Sequence, residues 1–257
     1  MDKSYHPLDH HFTLPHVRRV EASRPLQWLR MGVDDMRANL AASLSYGLIF
    51  AVIGYLILHY ATHMPYLFTA AISGFFLVGP MAAAGLYELS RRHGRGETVD
   101  FIGSWKGLKE HSDQLLYYGA LLAFTLIGWE RLSAILFALF YHDVAPDLSH
   151  FFRDVFLSGH YVHFVVSYLV VGGALAGLVF ALSVVSVPMV LDRGTDVITA
   201  MMTSARAVGF NLGATAVWAA LIVVLIGLGF ATMMIGMVVL LPLVGHATWH
   251  AYKDLVE

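Results

Sequence analysis

Between Leu212 and His250 the chain runs for 39 residues without an aspartate, glutamate, lysine or arginine. As one helix this run would be about 58 Å long at 1.5 Å per residue, nearly twice a hydrocarbon core of about 30 Å. It must fold back, and Gly227 and Gly229 to Thr232 are the expected turn. The rest of the chain has the same character. Hydrophobic residues make up 58% and charged residues 13%, against roughly 25% charged in soluble domains. A membrane-spanning bundle is the fold class this composition allows.

Apolar runs of spanning length recur in three units, each introduced by an amphipathic segment. In the first, Leu26, Leu29, Val33, Met36 and Leu40 share one helical face while Arg30, Asp34, Asp35 and Arg37 take the other. Trp28 is expected at headgroup level, where an indole is favoured. The second unit organises the chain. It runs from Phe101 to Tyr141, with an amphipathic lead-in, a polar hinge at Gln114 and a long apolar helix carrying Glu130 and Arg131. The third opens at Asp192, with Ile198, Met201, Ala205, Val208 and Leu212 on one stripe and Arg206 opposite. Asn39-Leu40, Gln114-Leu115 and Asn211-Leu212 mark equivalent entries, and Pro80, Pro188 and Pro242 mark equivalent returns, read as fixed kinks that steer each helix to the next interfacial segment.

The expected architecture is an all-α, six-span transmembrane bundle of three helical hairpins, each preceded by a cytoplasmic amphipathic helix. The spans fall at about 43–62, 66–88, 115–141, 160–188, 211–229 and 232–250. Residues 1–25, with four histidines and three prolines, form a disordered cytoplasmic tail, and 26–257 form a single transmembrane domain. Of the 16 basic residues all but Arg131 and Arg153 fall on the side of the amphipathic segments. The positive-inside rule therefore places both termini in the cytoplasm. A net charge of −2 gives no reason to expect nucleic acid, and the absence of cysteine excludes disulfides and thiolate ligands.

Val17-Arg18-Arg19-Val20, Arg24-Pro25-Leu26-Gln27-Trp28-Leu29, Ser43-Leu44-Ser45-Tyr46-Gly47 and the stretch from Leu241 to Asp254 give the chain a resemblance to a family. It resembles an uncharacterised family of bacterial multi-pass integral membrane proteins, some members of which are labelled cytochrome c oxidase subunit I-like. The resemblance implies a bacterial inner membrane. An oxidase core holds its haems and copper on histidines at mid-membrane depth, and here no histidine falls in the middle of a span. A respiratory link would be that of an accessory or assembly component.

No phosphate loop, nucleotide fingerprint, zinc-protease helix or nucleophile elbow is present. The leading reading is a non-enzymatic component acting through lipid or protein contacts, with a respiratory complex among the candidate partners. A small-solute transporter or channel is the alternative, and a haem or metal protein the second. Three sets of residues carry specific expectations. Glu130 and Arg131, ionisable inside a span, are expected to pair with other helices rather than with each other, being about 100° apart on the helix. His59 and His63, and His160 and His163, project in pairs at the outer surface and are read as part of a docking surface for a partner, with the alternative that haem or a transition metal finds imidazole ligands there beside Met64, Met233 and Met234. His246 and His250, four apart at the inner end of the last span, are read as interfacial residues bonded to headgroups or loops, with a metal or haem edge as the alternative.

Overall fold

In the computed structural model residues 14–61, 79–81, 83–98, 100–140, 159 and 161–257 are described. They form an all-α chain of ten named helices. In order these are α1 (Arg24–Ala38), α2 (Leu40–Ala61), α3 (Ala84–His93), α4 (Phe101–Lys109), α5 (Ser112–Phe140), α6 (Val162–Ser183), α7 (Ser186–Arg193), α8 (Val197–Phe210), α9 (Leu212–Ala231) and α10 (Met237–Leu255). Four stretches among the described residues are long and apolar enough to cross a membrane: Leu40–Ile57, Ser112–Phe140, Val162–Arg193 and Leu212–Ala231. Most of the expected span 66–88 lies outside the described residues. The last expected span is α10, whose second half carries His246, Thr248, His250, Lys253 and Asp254 and is largely buried.

Two pairs of helices run antiparallel. Phe137 meets Phe164, Trp129 meets Tyr168, and Tyr118 Oη donates to Ser183 Oγ at 2.5 Å, so α5 and α6 lie antiparallel. Likewise α10 comes back along α9, Met237 lying against Gly229 while Trp28, which bonds Asp254, packs edge-on to Trp218. The turn falls at residues 232–236, slightly later than Gly227 to Thr232. Met233 and Met234 there take left-handed φ values of 50° and 71°.

The breaks between interfacial helix and span explain the repeat. Asn39, between α1 and α2, and Asn211, between α8 and α9, have nearly the same backbone, φ −123° ψ 42° and φ −129° ψ 38°. In the second unit the break lies at Glu110 and His111, three residues before the expected hinge, and Gln114 is inside α5. The bonds Ser43 N to Asn39 O, Leu115 N to His111 O and Thr215 N to Asn211 O make Asn39, His111 and Asn211 equivalent. Seven residues further on stand Tyr46, Tyr118 and Trp218, all buried.

Each interfacial helix rests on the inner helix that closes the preceding unit: α4 on α3, α8 on α7, and α1 on α10, which closes a ring of three. Their buried faces differ from the stripes expected from the sequence. Leu26 and Ile198 are exposed, as lipid-facing residues would be, while α1 buries Trp28, Gly32 and Asp35, α4 buries Ser104 and Gly107, and α8 buries Ala200, Thr203, Ser204 and Ala207. Small and polar residues let helix backbones approach where apolar side chains gain nothing by leaving lipid. Trp28 is accordingly no headgroup anchor; it is fully buried.

The contacts also set the register of the inner helices. A Cβ on Gly32 would meet Ala247 N at 2.8 Å, and Ser204, seven residues before Asn211 as Gly32 is before Asn39, takes a bond from Val185 N at 3.3 Å. Ser104 holds the corresponding place before His111 and bonds Tyr46 Oη, which lies against Gly85. Five residues before Gly85, Val185 and Ala247 stand Pro80, Phe180 and Pro242. Pro188 is therefore no counterpart of the other two prolines. It sits inside α7, at the place held by Glu88 in α3 and His250 in α10.

Candidate functional site between the inner helices

Helices α1, α2 and α3 meet the distant α10 around His246. Ser43 Oγ, on the first turn of α2, lies 2.8 Å from its Nε2, and Ser90 Oγ of α3 lies 2.7 Å from its Nδ1. Ser90 donates its proton to Asp35 Oδ2 of α1 at 2.5 Å. Since a hydroxyl has one proton, Nδ1 of His246 must carry hydrogen and donate to Ser90, and in the neutral ring Nε2 accepts from Ser43. The result is a directed chain from Ser43 through His246 and Ser90 to the Asp35 carboxylate. His250, one turn beyond His246, lies with its Nε2 2.9 Å from the same Oδ2, and His93 Nε2 stands 3.8 Å from Oδ1.

The chain is closed off from water. His246 and Ser43 are fully buried, and Ser90 and Asp35 nearly so. Burial by itself would raise the Asp35 pKa; the bonds from His250 and Ser90, with the nearby imidazoles, outweigh it and hold the carboxyl below its usual range. The order of groups also differs from a nucleophilic triad, in which the carboxylate holds the imidazole directly. Here Ser90 stands between them, and the terminal Ser43 hydroxyl has no exposed surface. Chemically, the arrangement orients α1, α2, α3 and α10 through fully paired polar groups.

Three carboxylates complete the layer. Glu88 of α3, fully buried, takes Arg91 through Nε–Oε2 at 2.7 Å and Nη2–Oε1 at 2.9 Å, and Arg92 at 2.6 Å. Asp254 receives Trp28 Nε1 and Arg24 Nε, both at 2.6 Å. Asp192 accepts from Tyr252 Oη at 2.8 Å and Lys253 Nζ at 3.1 Å, while Arg193 Nε donates to Tyr252 Oη at 2.9 Å. Among the described residues Trp218 Nε1 is the buried side-chain polar atom left without a hydrogen-bond partner.

His246 and His250 thus bond helices within the protein, not headgroups or loops. Glu130 and Arg131 depart from expectation in the other direction. They are 3.3 Å from each other, Nε to Oε2, with the Arg131 side chain 76% exposed and that of Glu130 42%. Adjacent Cα–Cβ bonds diverge, but both side chains are long enough to curl round the outside of the helix and meet. His59 stacks on Tyr55 with ring centroids 6.2 Å apart, and His163 is exposed. His63 and His160, like Met64, lie outside the described residues. No group of three or more histidine, aspartate or glutamate side chains is placed to hold a metal among the described residues. Met234 is buried while Met233 is exposed. Reading the sequence for motifs missed Asp35, Ser43 and Ser90 because none belongs to one. Asp35 alone carried a signal, the spacing of Trp28, Gly32 and Asp35 along one face of α1 beside the apolar stripe; Ser43 and Ser90 carried none.

A layered arrangement of long apolar helices over a paired polar ring is that of an integral membrane protein, and comparison of the sequence agrees. Residues 67–192 match a family of predicted integral membrane proteins, DUF2189. The DUF2189 match runs to Asp192 in α7, so it includes Glu88 and Ser90, while Asp35, Ser43 and His246 come from outside it. The description of DUF2189 names no activity and no haem. No curated protein and no solved structure matches the chain.

Proposed function

We propose that the chain is a bacterial inner-membrane protein of six spans, both termini cytoplasmic, that acts without catalysis as an accessory or assembly component through lipid and protein contacts. The observation that carries this reading is the state of the interior polar groups. From Ser43 to Asp35 Oδ2 each side chain of the chain is bonded to another helix, which is what a scaffold needs. The outward surfaces of the spans are strongly apolar, with Leu116 70% and Phe124 76% exposed, and so present area to lipid or to a partner's spans. Three hairpins, the first completed by residues 66–88, suit the closed ring of interfacial helices.

Purification in mild detergent tests the reading. Stoichiometric co-purification of a membrane-protein complex, with no haem in the absorption spectrum and no bound transition metal by elemental analysis, is the expected result. A stoichiometric Soret band would replace the scaffold by a haem protein. Specific solute uptake by vesicles containing the purified chain alone would replace it by a transporter.

A further inference from the structure

Two arginines far apart in sequence share one exposed aromatic ring. The guanidinium of Arg19 lies 5.9 Å from the centroid of Phe210, and that of Arg206, one turn earlier on α8, lies 5.6 Å from it. The approach of Arg19 is built in. Val20 N donates to Asn211 Oδ1 at 2.8 Å, and Asn211 Nδ2 donates to Arg18 O at 2.9 Å. The same segment is held at its other end, where Val17 bridges Val256 and Arg18 N donates to Leu255 O at 2.9 Å. Asn211 is itself buried at the break between α8 and α9, so the N-terminal segment is fixed at the point where a candidate span begins.

Among the described residues no ion pair compensates the charges of this pair. Among the described residues neither Arg19 nor Arg206 has a carboxylate within 4.0 Å, whereas Arg18, Arg24, Arg91 and Arg92 all do. Around them the surface is apolar. Ile198, Met202, Arg206 and Phe210 lie on one stripe of α8 at four-residue spacing, with Ile198, Met202 and Phe210 exposed by 65%, 46% and 49%, and Leu212, 66% exposed, opens α9. The other two units lack this. At the places of Arg206 and Phe210 they carry Asp34 and Ala38, and Lys106 and Glu110. Two guanidiniums held on a ring, at the start of a span and flanked by acyl-chain-compatible residues, have the chemistry for one occupant: the phosphate of an anionic phospholipid with its chains along Ile198, Met202 and Leu212.

We propose that Arg19, Arg206 and Phe210 form a binding site for an anionic phospholipid headgroup on the face that carries the interfacial helices. The inference rests on the membrane reading above and adds the class of lipid. The test uses the full chain reconstituted in phosphatidylcholine vesicles, with spin-labelled phosphatidylglycerol or spin-labelled phosphatidylcholine as probe. Flotation with the vesicles is checked first, since failure to float would overturn the membrane reading and not only the site. The wild type should hold an immobilised phosphatidylglycerol fraction in excess of phosphatidylcholine. Arg19→Gln and Arg206→Gln should each lower that preference about fivefold and the double variant about thirtyfold, at roughly one phosphate contact's worth per arginine. Phe210→Leu, which keeps the apolar surface, should lower it too, while Arg37→Gln, an exposed arginine elsewhere on the same face, should not. Equal retention of the two lipids by the wild type, an unchanged preference in the double variant, or displacement of the labelled lipid by inorganic phosphate alone would overturn the site.

Discussion

Gly32 of α1 lies against the backbone of Ala247 in α10, closely enough that an added Cβ would stand 2.8 Å from the Ala247 nitrogen. The obstacle is main chain and cannot rotate away. Gly32→Ala should therefore push α1 off α10 and destabilise the protein by about 1–3 kcal/mol, the usual cost of overpacking. Gly213→Ala is the matched control, its Cβ meeting Ala22 Cβ at an ordinary 3.6 Å. It should be neutral or stabilising by up to about 1 kcal/mol through helix propensity. Thermal unfolding of both variants in the same detergent checks the pair, and equal midpoints would refute the close approach.

The directed chain through His246 predicts an order among serine variants. Ser90→Ala strands two buried partners at once, the Nδ1–H of His246 and a lone pair of Asp35, and should cost about 2–4 kcal/mol. Ser43→Ala strands only the Nε2 acceptor and should cost about 1–2 kcal/mol. A thermal shift as large for Ser43→Ala as for Ser90→Ala would show that the two hydroxyls are not ordered as described. A cycle of Ser90→Ala with Asp35→Asn should give coupling of about 0.5–3 kcal/mol, since the two groups share one bond.

Acid should loosen the α1–α10 contact in a defined window. Burial pushes the Asp254 pKa up, but bonds from Arg24 and Trp28 and the Arg24 charge pull harder, so it lies below its ordinary value of 3.8. A depressed carboxyl stabilises the folded state fully above the unfolded pKa and loses that contribution as pH falls through the folded one. Stability should thus be level near neutrality with respect to this group and fall only below about pH 4. Asp35, depressed as well, acts in the same window, so the comparison that isolates Asp254 is wild type against Asp254→Asn. Their stabilities should differ by a constant amount above pH 4 and converge below it. A difference that instead changes between pH 5 and 7 would assign the effect to histidines.

The proposed membrane topology rests on the placement of the arginines. Reporter fusions after Gly96, Thr195 and Glu257 should read cytoplasmic, and fusions after Thr62, Leu148 and Gly229 periplasmic. A periplasmic reading after Gly96 would overturn the orientation, because Arg91, Arg92 and Arg95 belong to the ring that sets it.

Apolar runs made the long helices legible from the sequence, because their length obeys the bilayer and not the particular packing. Asn39 and Asn211 were likewise readable as breaks. The second break was misplaced at Gln114 because an amide there looks like the asparagines, whereas its Oε1 actually accepts from Val197 N at 3.2 Å and ties α5 to α8. Pro188 misled in the same way: a proline is visible in sequence, but its register depends on which residues of α7 face α8. The site was least legible. Asp35, Ser43, Ser90 and His246 span over 200 residues and obey no spacing rule, since what joins them is the closure of the first unit onto the third. An aspartate on the polar side of an amphipathic segment reads as solvated until α10 is laid against it.

Glu130 and Arg131 give the sharpest contrast with that buried site. Their 3.3 Å contact is with each other and both side chains are substantially exposed, so neither holds another helix among the described residues. Exposed pairs of this kind contribute little, from about zero to 1 kcal/mol. Glu130 is about 22 Å along the helix from Leu115 at 1.5 Å per residue, and near the far end of a span a long arginine reaches the interface by extending along the helix. Glu130→Gln and Arg131→Gln should each leave thermal stability within about 0.5 kcal/mol of wild type and leave co-purifying proteins unchanged. Loss of a partner with folding intact would return the pair to the list of functional residues and locate that partner at the outer end of α5.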